Sequence, residues 1–171
     1  MRPEAYISGV GQSRVGHAEG RSPLLLTLDA LQEALFEAGL SLAQIDGVAT
    51  YPGRVAYGGF SPIGVSDVID GFGIRARWYI GAAEATSQLG AIVAAADAVK
   101  AGHARHVLCF RTVYEASARK APAQAPASPG KVTGSAQWTA PFNALSAATW
   151  FAQYATRNVE LYGMKREQLA Q

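Results

Sequence analysis

Few residues in this chain have types and spacing that carry chemistry, and most of those lie in one stretch. Gly81, Ala82 and Ala83 leave room for a turn from strand into helix, and Glu84, Ala85, Thr86 and Ser87 occupy that turn. The start of a helix offers unpaired N–H groups and partial positive charge, so it favours anions and developing negative charge. The alternative job for these side chains is capping. Thr86 or Ser87 then accepts from the backbone, and Glu84 complements the dipole. A second group lies in loops. Tyr51, Tyr57 and Phe60 are aromatic residues able to line a pocket for an apolar substrate or to anchor their loop on the core. Further on, Arg119, Lys131 and Trp138 are of the types that hold phosphates and an adenine ring, in a segment that reads equally well as an exposed loop. Arg14 and His17 read as solvated loop residues. The one thiol, Cys109, sits in an apolar run and reads as an inert core residue.

The elements that must position these groups follow from hydrophobic periodicity. From Leu89 to Val99 nearly every residue is Ala, Ile, Val or Leu, with Asp97 the one charge. A helix apolar around most of its circumference is expected in the middle of a protein. Gly102 is placed to end it, and 106–110 (HVLCF) reads as a short parallel strand covered on both faces. Before it, 5–10 (AYISGV) reads as a strand and the glycine-rich 11–21 as a loop without a P-loop or dinucleotide pattern. Ser22-Pro23 starts a helix that Gly39 closes. Ser41 with Gln44 resembles a capping box, and 48–51 (VATY) is the second strand. The segment 52–62 is loop, 63–72 is helix ended by Gly73, and 76–80 (ARWYI) is the third strand. The residues 119–141, with four prolines, are read as unable to form a regular element. An amphipathic helix follows over 145–162, ended by Gly163, and a last helix starts at Lys165. The order β-α-β-α-β-α-β, then an irregular excursion, predicts a layered α/β sheet. A chain that stops inside a helix reads as the front part of a longer polypeptide.

Composition bounds the possibilities. With 171 residues, about half hydrophobic and rich in Ala and Gly, the chain can build a sizeable α/β core. A formal charge of +2 is too small to imply nucleic acid. No apolar run reaches the roughly 18 to 20 residues of a membrane span, and the N-terminus has no secretory h-region. A single cysteine rules out an internal disulfide and suits a cytoplasmic setting. Three scattered histidines and that cysteine offer no metal spacing, so no metal and no resident cofactor is expected.

On the stretch 79–117 the chain resembles the thiolase superfamily, closest to the sterol-carrier and lipid-transfer-type thiolases, a group that includes steroid side-chain-cleaving aldolases. The family's central helix opens with Cys-Gly-Ser-Gly-Leu-x-Ala and ends in a glycine before a buried strand. Ser87, Leu89 and Ala91 match its Ser, Leu and Ala, and Gly102 its closing glycine. Glu115 and Ser117 approach the family's Glu-x-x-Ser, one residue short. The tail LYGMKREQLAQ resembles its tyrosine-glycine segment after the acyl-CoA-binding loops. In that register the family's nucleophilic cysteine falls on Ala85, and a methyl group cannot accept an acyl group.

The resemblance implies a thiolase-like α/β/α fold, with an N-terminal core over 1–117 and, over 118–171, loops and helices that begin the acyl-CoA-binding excursion. It implies a coenzyme A thioester as substrate. It also implies a lyase working by retro-aldol cleavage of a bulky, steroid-type β-hydroxyacyl-CoA, with no acyl-enzyme. Glu84 is the local candidate for proton transfer. Ala85, Thr86 and Ser87 form the pocket at the nucleophile position, and Tyr51, Tyr57, Trp138, Arg119 and Lys131 are substrate-binding candidates. The alternatives are a non-catalytic thiolase-like subunit and an acyltransferase with an unconventional nucleophile. The implied assembly is a homodimer, or a hetero-oligomer with a zinc-ribbon/OB-type partner.

Overall fold

The protein is described by a computed structural model over residues 4–16, 21–55, 59–81, 87–118, 136–144 and 147–170. It divides into two compact units, Met1–Ala123 and Gln124–Gln171.

The first unit is built on three parallel strands, β1 (Gly47–Thr50), β2 (Trp78–Gly81) and β3 (Val107–Phe110). Their order is β2-β1-β3, so β1 is hydrogen-bonded on both edges and Gly47 aligns with both Trp78 and Val107. Alternation along β1 sends Val48 to one face and Ala49 to the other, and both are fully buried. Helix α1 (Pro23–Ala38) and helix α2 (Val65–Phe72) cover the Val48 face. Leu24 and Leu35 of α1 and Val65, Val68, Ile69 and Phe72 of α2 pack there with Leu108 and Phe110. Helix α3 (Ser87–Lys100) covers the Ala49 face, where Ala91 and Ala95 pack with Trp78, Ile80, Val107 and Cys109, and the short helix α4 (Glu115–Ala118) follows β3. This is the mixed α/β class that the strand–helix order predicts.

The caps follow the sequence closely. Ser22 accepts from the Leu25 amide with Pro23 at the first helical position, and Gly39 closes α1 in a left-handed conformation. The Ser41–Gln44 capping box is present around a short 3-10 turn. At the other end of the sheet Asp46 acts as a clamp. Its carboxylate accepts from the amides of Arg105 at 2.8 Å and His106 at 3.0 Å, and its backbone carbonyl accepts from the Arg77 amide at 2.8 Å. One residue therefore ties the entries of all three strands.

Four expectations need correction. Residues 5–10 form no strand with a sheet partner. They belong to an extended segment laid along α1, where the amides of Val10 and Gln12 donate to the carboxylates of Glu37 and Glu33. Glycine permits that approach: a Cβ on Gly9 or Gly11 would fall 2.2 Å or 2.0 Å from the carbonyl oxygens of Ala34 or Ala30. The described residues thus hold three strands rather than four. Second, α3 is not enclosed on all sides. It gives Ala91, Ala95 and Ala98 to the interior, while Leu89 is 69% and Val93 59% exposed on its outer side. Small residues bring the helix axis close to the sheet, and the larger ones remain on the surface. Third, 119–141 is not wholly irregular. Short helices at α5 (Ala136–Thr139) and Ala140–Phe142 lie inside it, closed where the Ala144 amide donates to Thr139 and Asn143 turns left-handed. Fourth, the helix expected from Lys165 is a 3-10 segment, Arg166–Ala170.

The second unit's main element is α6 (Ala147–Tyr162), which buries none of its residues and leaves Phe151, Tyr154 and Tyr162 exposed. Its Trp150 indole donates to the Ala144 carbonyl at 2.7 Å. No described helix is long and apolar enough to cross a membrane.

Candidate functional site

The strand order creates the site. The chain passes from β1 through α2 to β2 on one side, then through α3 to β3 on the other side of β1. Segments leaving the carboxyl ends of β1 and its neighbours diverge at such a reversal, and ligands of open α/β sheets bind in the crevice outside those ends.

At this edge β1 runs into Tyr51 and a cis peptide to Pro52, followed by Gly53 with left-handed φ. Gly53 and Gly81, the last residue of β2, nearly touch: a Cβ on Gly53 would lie 3.3 Å from the Gly81 carbonyl oxygen. Beside them is a cavity of about 220 Å³, lined by Gly53, Gly81, Gly64, Arg54 and Asp67 among others. Asp67 caps α2 by accepting from the Gly64 amide at 2.8 Å and pairs with Arg54 at 3.3 Å. These groups satisfy one another.

The opposite half of the edge is the front of α3. Ser87 is its first residue, exposed, with φ of 57° in the left-handed region that non-glycine residues seldom adopt. Gln88 follows, and its side-chain amide donates to the Phe110 carbonyl at the end of β3, 3.1 Å away. Thr50, the last residue of β1, donates its hydroxyl to the same carbonyl at 2.7 Å. Gln88 thereby ties the front of α3 to the end of β3, while Thr50 separately ties the end of β1 to that same carbonyl.

Of the residues singled out in the sequence, Ser87 stands at this edge. Glu84, Ala85 and Thr86 lie outside the described residues, as do Tyr57, Arg119 and Lys131. Tyr51 is half-buried against Ala49, Ala91 and Ala95, the position of a core anchor. Phe60 is exposed, with the Arg111 guanidinium 4.4 Å from its ring centroid. Trp138 belongs to the second unit and is exposed. That unit has a cavity of its own, about 480 Å³, lined by Thr139, Trp150, Gln153, Tyr154 and Arg157. Sequence reasoning does not single out Gln88, Thr50 or these α6 residues. A signal for Gln88 exists all the same, as the one polar side chain between Ser87 and a run of aliphatic residues.

Cys109 is on the α3 face of β3, away from any role as nucleophile. Burial pushes its thiol up to about 11, so the thiolate is scarce at neutral pH. We expect its alkylation by iodoacetamide at pH 8 to run about 100-fold slower than that of an ordinary exposed thiol, and to accelerate only as pH approaches 11. Labelling as fast as free glutathione would contradict this burial. No group of three or more His, Cys, Asp or Glu among the described residues is arranged to hold a metal.

No family model matches the chain. It is 29% identical over 172 aligned residues to a steroid side-chain-cleaving aldolase of Thermomonospora curvata, covering 95% of this chain and 41% of that protein. A solved structure, an Ltp2-ChsH2(DUF35) aldolase, superposes with a TM-score of 0.73 at 26% identity, covering 96% of this chain and 40% of that one. The chain spans about two fifths of the length of the proteins it matches, and across nearly all of its own residues it is similar to aldolases in both sequence and fold.

Proposed function

We propose that this chain is a portion of a carbon–carbon lyase on a thiolase-like α/β/α framework, cleaving a bulky, steroid-type β-hydroxyacyl-CoA by a retro-aldol step. The observation that carries this reading is the likeness over 95% of the chain to a protein named for steroid side-chain cleavage. The lone thiol, half-buried with its pKa raised by desolvation, supports a route without a cysteine acyl-enzyme. In this reaction a base takes the β-hydroxyl proton and the Cα–Cβ bond breaks. The electron pair moves onto the thioester as an enolate. Protonation at Cα then releases a ketone and a shortened acyl-CoA. The enzyme's part is to supply the base and to aim N–H donors at the enolate oxygen.

In this proposal the first N–H groups of α3 are those donors, Ala85, Thr86 and Ser87 form the floor, and Glu84 is the local candidate for proton transfer. Coenzyme A is part of the substrate and no resident cofactor is required. The similar solved structure is named for two components, which supports a hetero-oligomer over a lone chain, with a zinc-ribbon/OB-type subunit or a second copy as the partner.

The test is to incubate the protein, with any chain that co-purifies, with a steroid-bearing β-hydroxyacyl-CoA and to follow products by mass spectrometry. Ketone and shortened acyl-CoA should appear in equal amounts. Glu84→Gln should slow their formation by about 100-fold or more, the usual contribution of a positioned acid or base. Unchanged turnover would remove Glu84 from the mechanism. A covalent acyl adduct on Thr86 or Ser87 would replace the proposal with acyl transfer. No turnover and no thioester binding would leave a non-catalytic subunit.

A further inference from the structure

The first turn of α3 carries a glutamine whose side chain folds inward and is only half satisfied. Gln88 Nε2 donates to the Phe110 carbonyl at 3.1 Å, and Thr50 Oγ1 donates to the same oxygen at 2.7 Å. A backbone carbonyl has two lone pairs, so these two donors fill it. Gln88 Oε1, in contrast, is buried, and no donor among the described residues reaches it. A buried acceptor left without a partner is unfavourable, and each such group in a native structure calls for an explanation. A leucine here would fill much of the same volume without that penalty. Packing therefore does not account for glutamine.

What leucine could not do is tether the front of the helix to the end of β3. That tether matters because Ser87, one residue earlier, holds a left-handed φ of 57°. A conformation of that kind persists only where its surroundings over-determine it. The chain enters α3 through a strained residue, and the next side chain fastens the helix to the strand end.

We propose that Gln88 is a positioning residue: its amide holds the first N–H groups of α3, the donors assigned to the enolate oxygen above, in fixed relation to the carboxyl end of β3. The role rests on the retro-aldol reading above. It acts through backbone donors, so it should appear in turnover rather than in substrate affinity or stability. Thr50 supplies the control. It donates to the same carbonyl but belongs to β1, so its loss does not release α3.

The experiment compares Gln88→Leu and Thr50→Val with the unaltered protein, together with any co-purifying chain. Steady-state cleavage of a steroid-bearing β-hydroxyacyl-CoA is measured alongside amide hydrogen exchange over the first turns of α3. Gln88→Leu should lower kcat by about 10- to 100-fold with KM within about twofold, since small misplacements of catalytic groups have effects of that order. Exchange at 90–93, the first amides of α3 with intrahelical acceptors, should rise about tenfold. Thr50→Val should leave kcat and that exchange within about twofold. Unchanged exchange at 90–93 in Gln88→Leu overturns the positioning role whatever the substrate. So does a kcat loss matched by Thr50→Val, which would mark both residues as mere partners of the carbonyl. If the unaltered protein cleaves no β-hydroxyacyl-CoA yet Gln88→Leu alone loosens the helix front, the retro-aldol reading fails and the tether stands.

Discussion

Replacing Ala95 with leucine should lower the unfolding free energy by about 3 kcal/mol, the upper end for overpacking a well-filled core. Ala95 lies in the middle of α3's buried stripe, between Ala91 and Ala98, and packs on Ala49. The surface it meets cannot yield. Ala49 is fully buried on the central strand, and β1 is hydrogen-bonded along both edges. The helix must therefore lift or the leucine must leave its rotamer. For a chain of this size the change corresponds to a fall of about 6–12 °C in melting temperature, read by circular dichroism. Ala95→Gly separates the two causes, because it costs only about 1 kcal/mol in helix propensity and opens no clash. A leucine variant melting within about 2 °C of the parent would show that α3 can slide over the sheet, and would remove the argument for a rigid helix front.

The second large effect is expected at Asp46. Its carboxylate accepts two backbone amides, those of Arg105 and His106, in the turn that delivers β3. Removing it in Asp46→Ala leaves both donors without that acceptor, and we expect a loss of about 3 kcal/mol in urea denaturation. Asp46→Asn keeps one oxygen for those amides and should lose roughly half as much. Arg77→Ala should change stability by less than about 0.5 kcal/mol, since its guanidinium is 3.9 Å away and mostly exposed. A large loss in Arg77→Ala with a small one in Asp46→Ala would reverse the assignment, making the ion pair the clamp instead of the backbone contacts.

Local signals in the sequence read well because they are local. Ser22-Pro23, Gly39 and the Ser41–Gln44 box act within one helical turn, so their residue types carry the whole cause. Gly73 and Gly102 do the same through left-handed backbone that other residues resist. The readings that need correction depend on contacts with distant residues. The pattern AYISGV suits a strand, but Gly9 and Gly11 fit closely against Ala34 and Ala30 of α1, which no strand pattern encodes. The outer side of α3 reads as enclosed because Leu89 and Val93 are as apolar as the residues that are. Composition shows how apolar a helix is, and only the fold shows which side meets the sheet. The edge of the site is legible at Ser87, from its place at a strand-to-helix turn. Gln88 is marked only by being polar ahead of an aliphatic run, a weak signal because a glutamine in the first turn of a helix ordinarily faces water.

The central place of β1 also governs when this sheet can form. Thr50 must find Phe110, 60 residues further along, before the second edge of β1 is covered. Pairings that remote are slow to close, because chain entropy is lost before contacts compensate it. During synthesis β1 emerges well ahead of β3 and waits with a bare flank open to other chains. A pause in translation before Val107 should thus favour aggregation, and a chaperone that shields 47–50 should raise the folded yield more than one acting on the later helices.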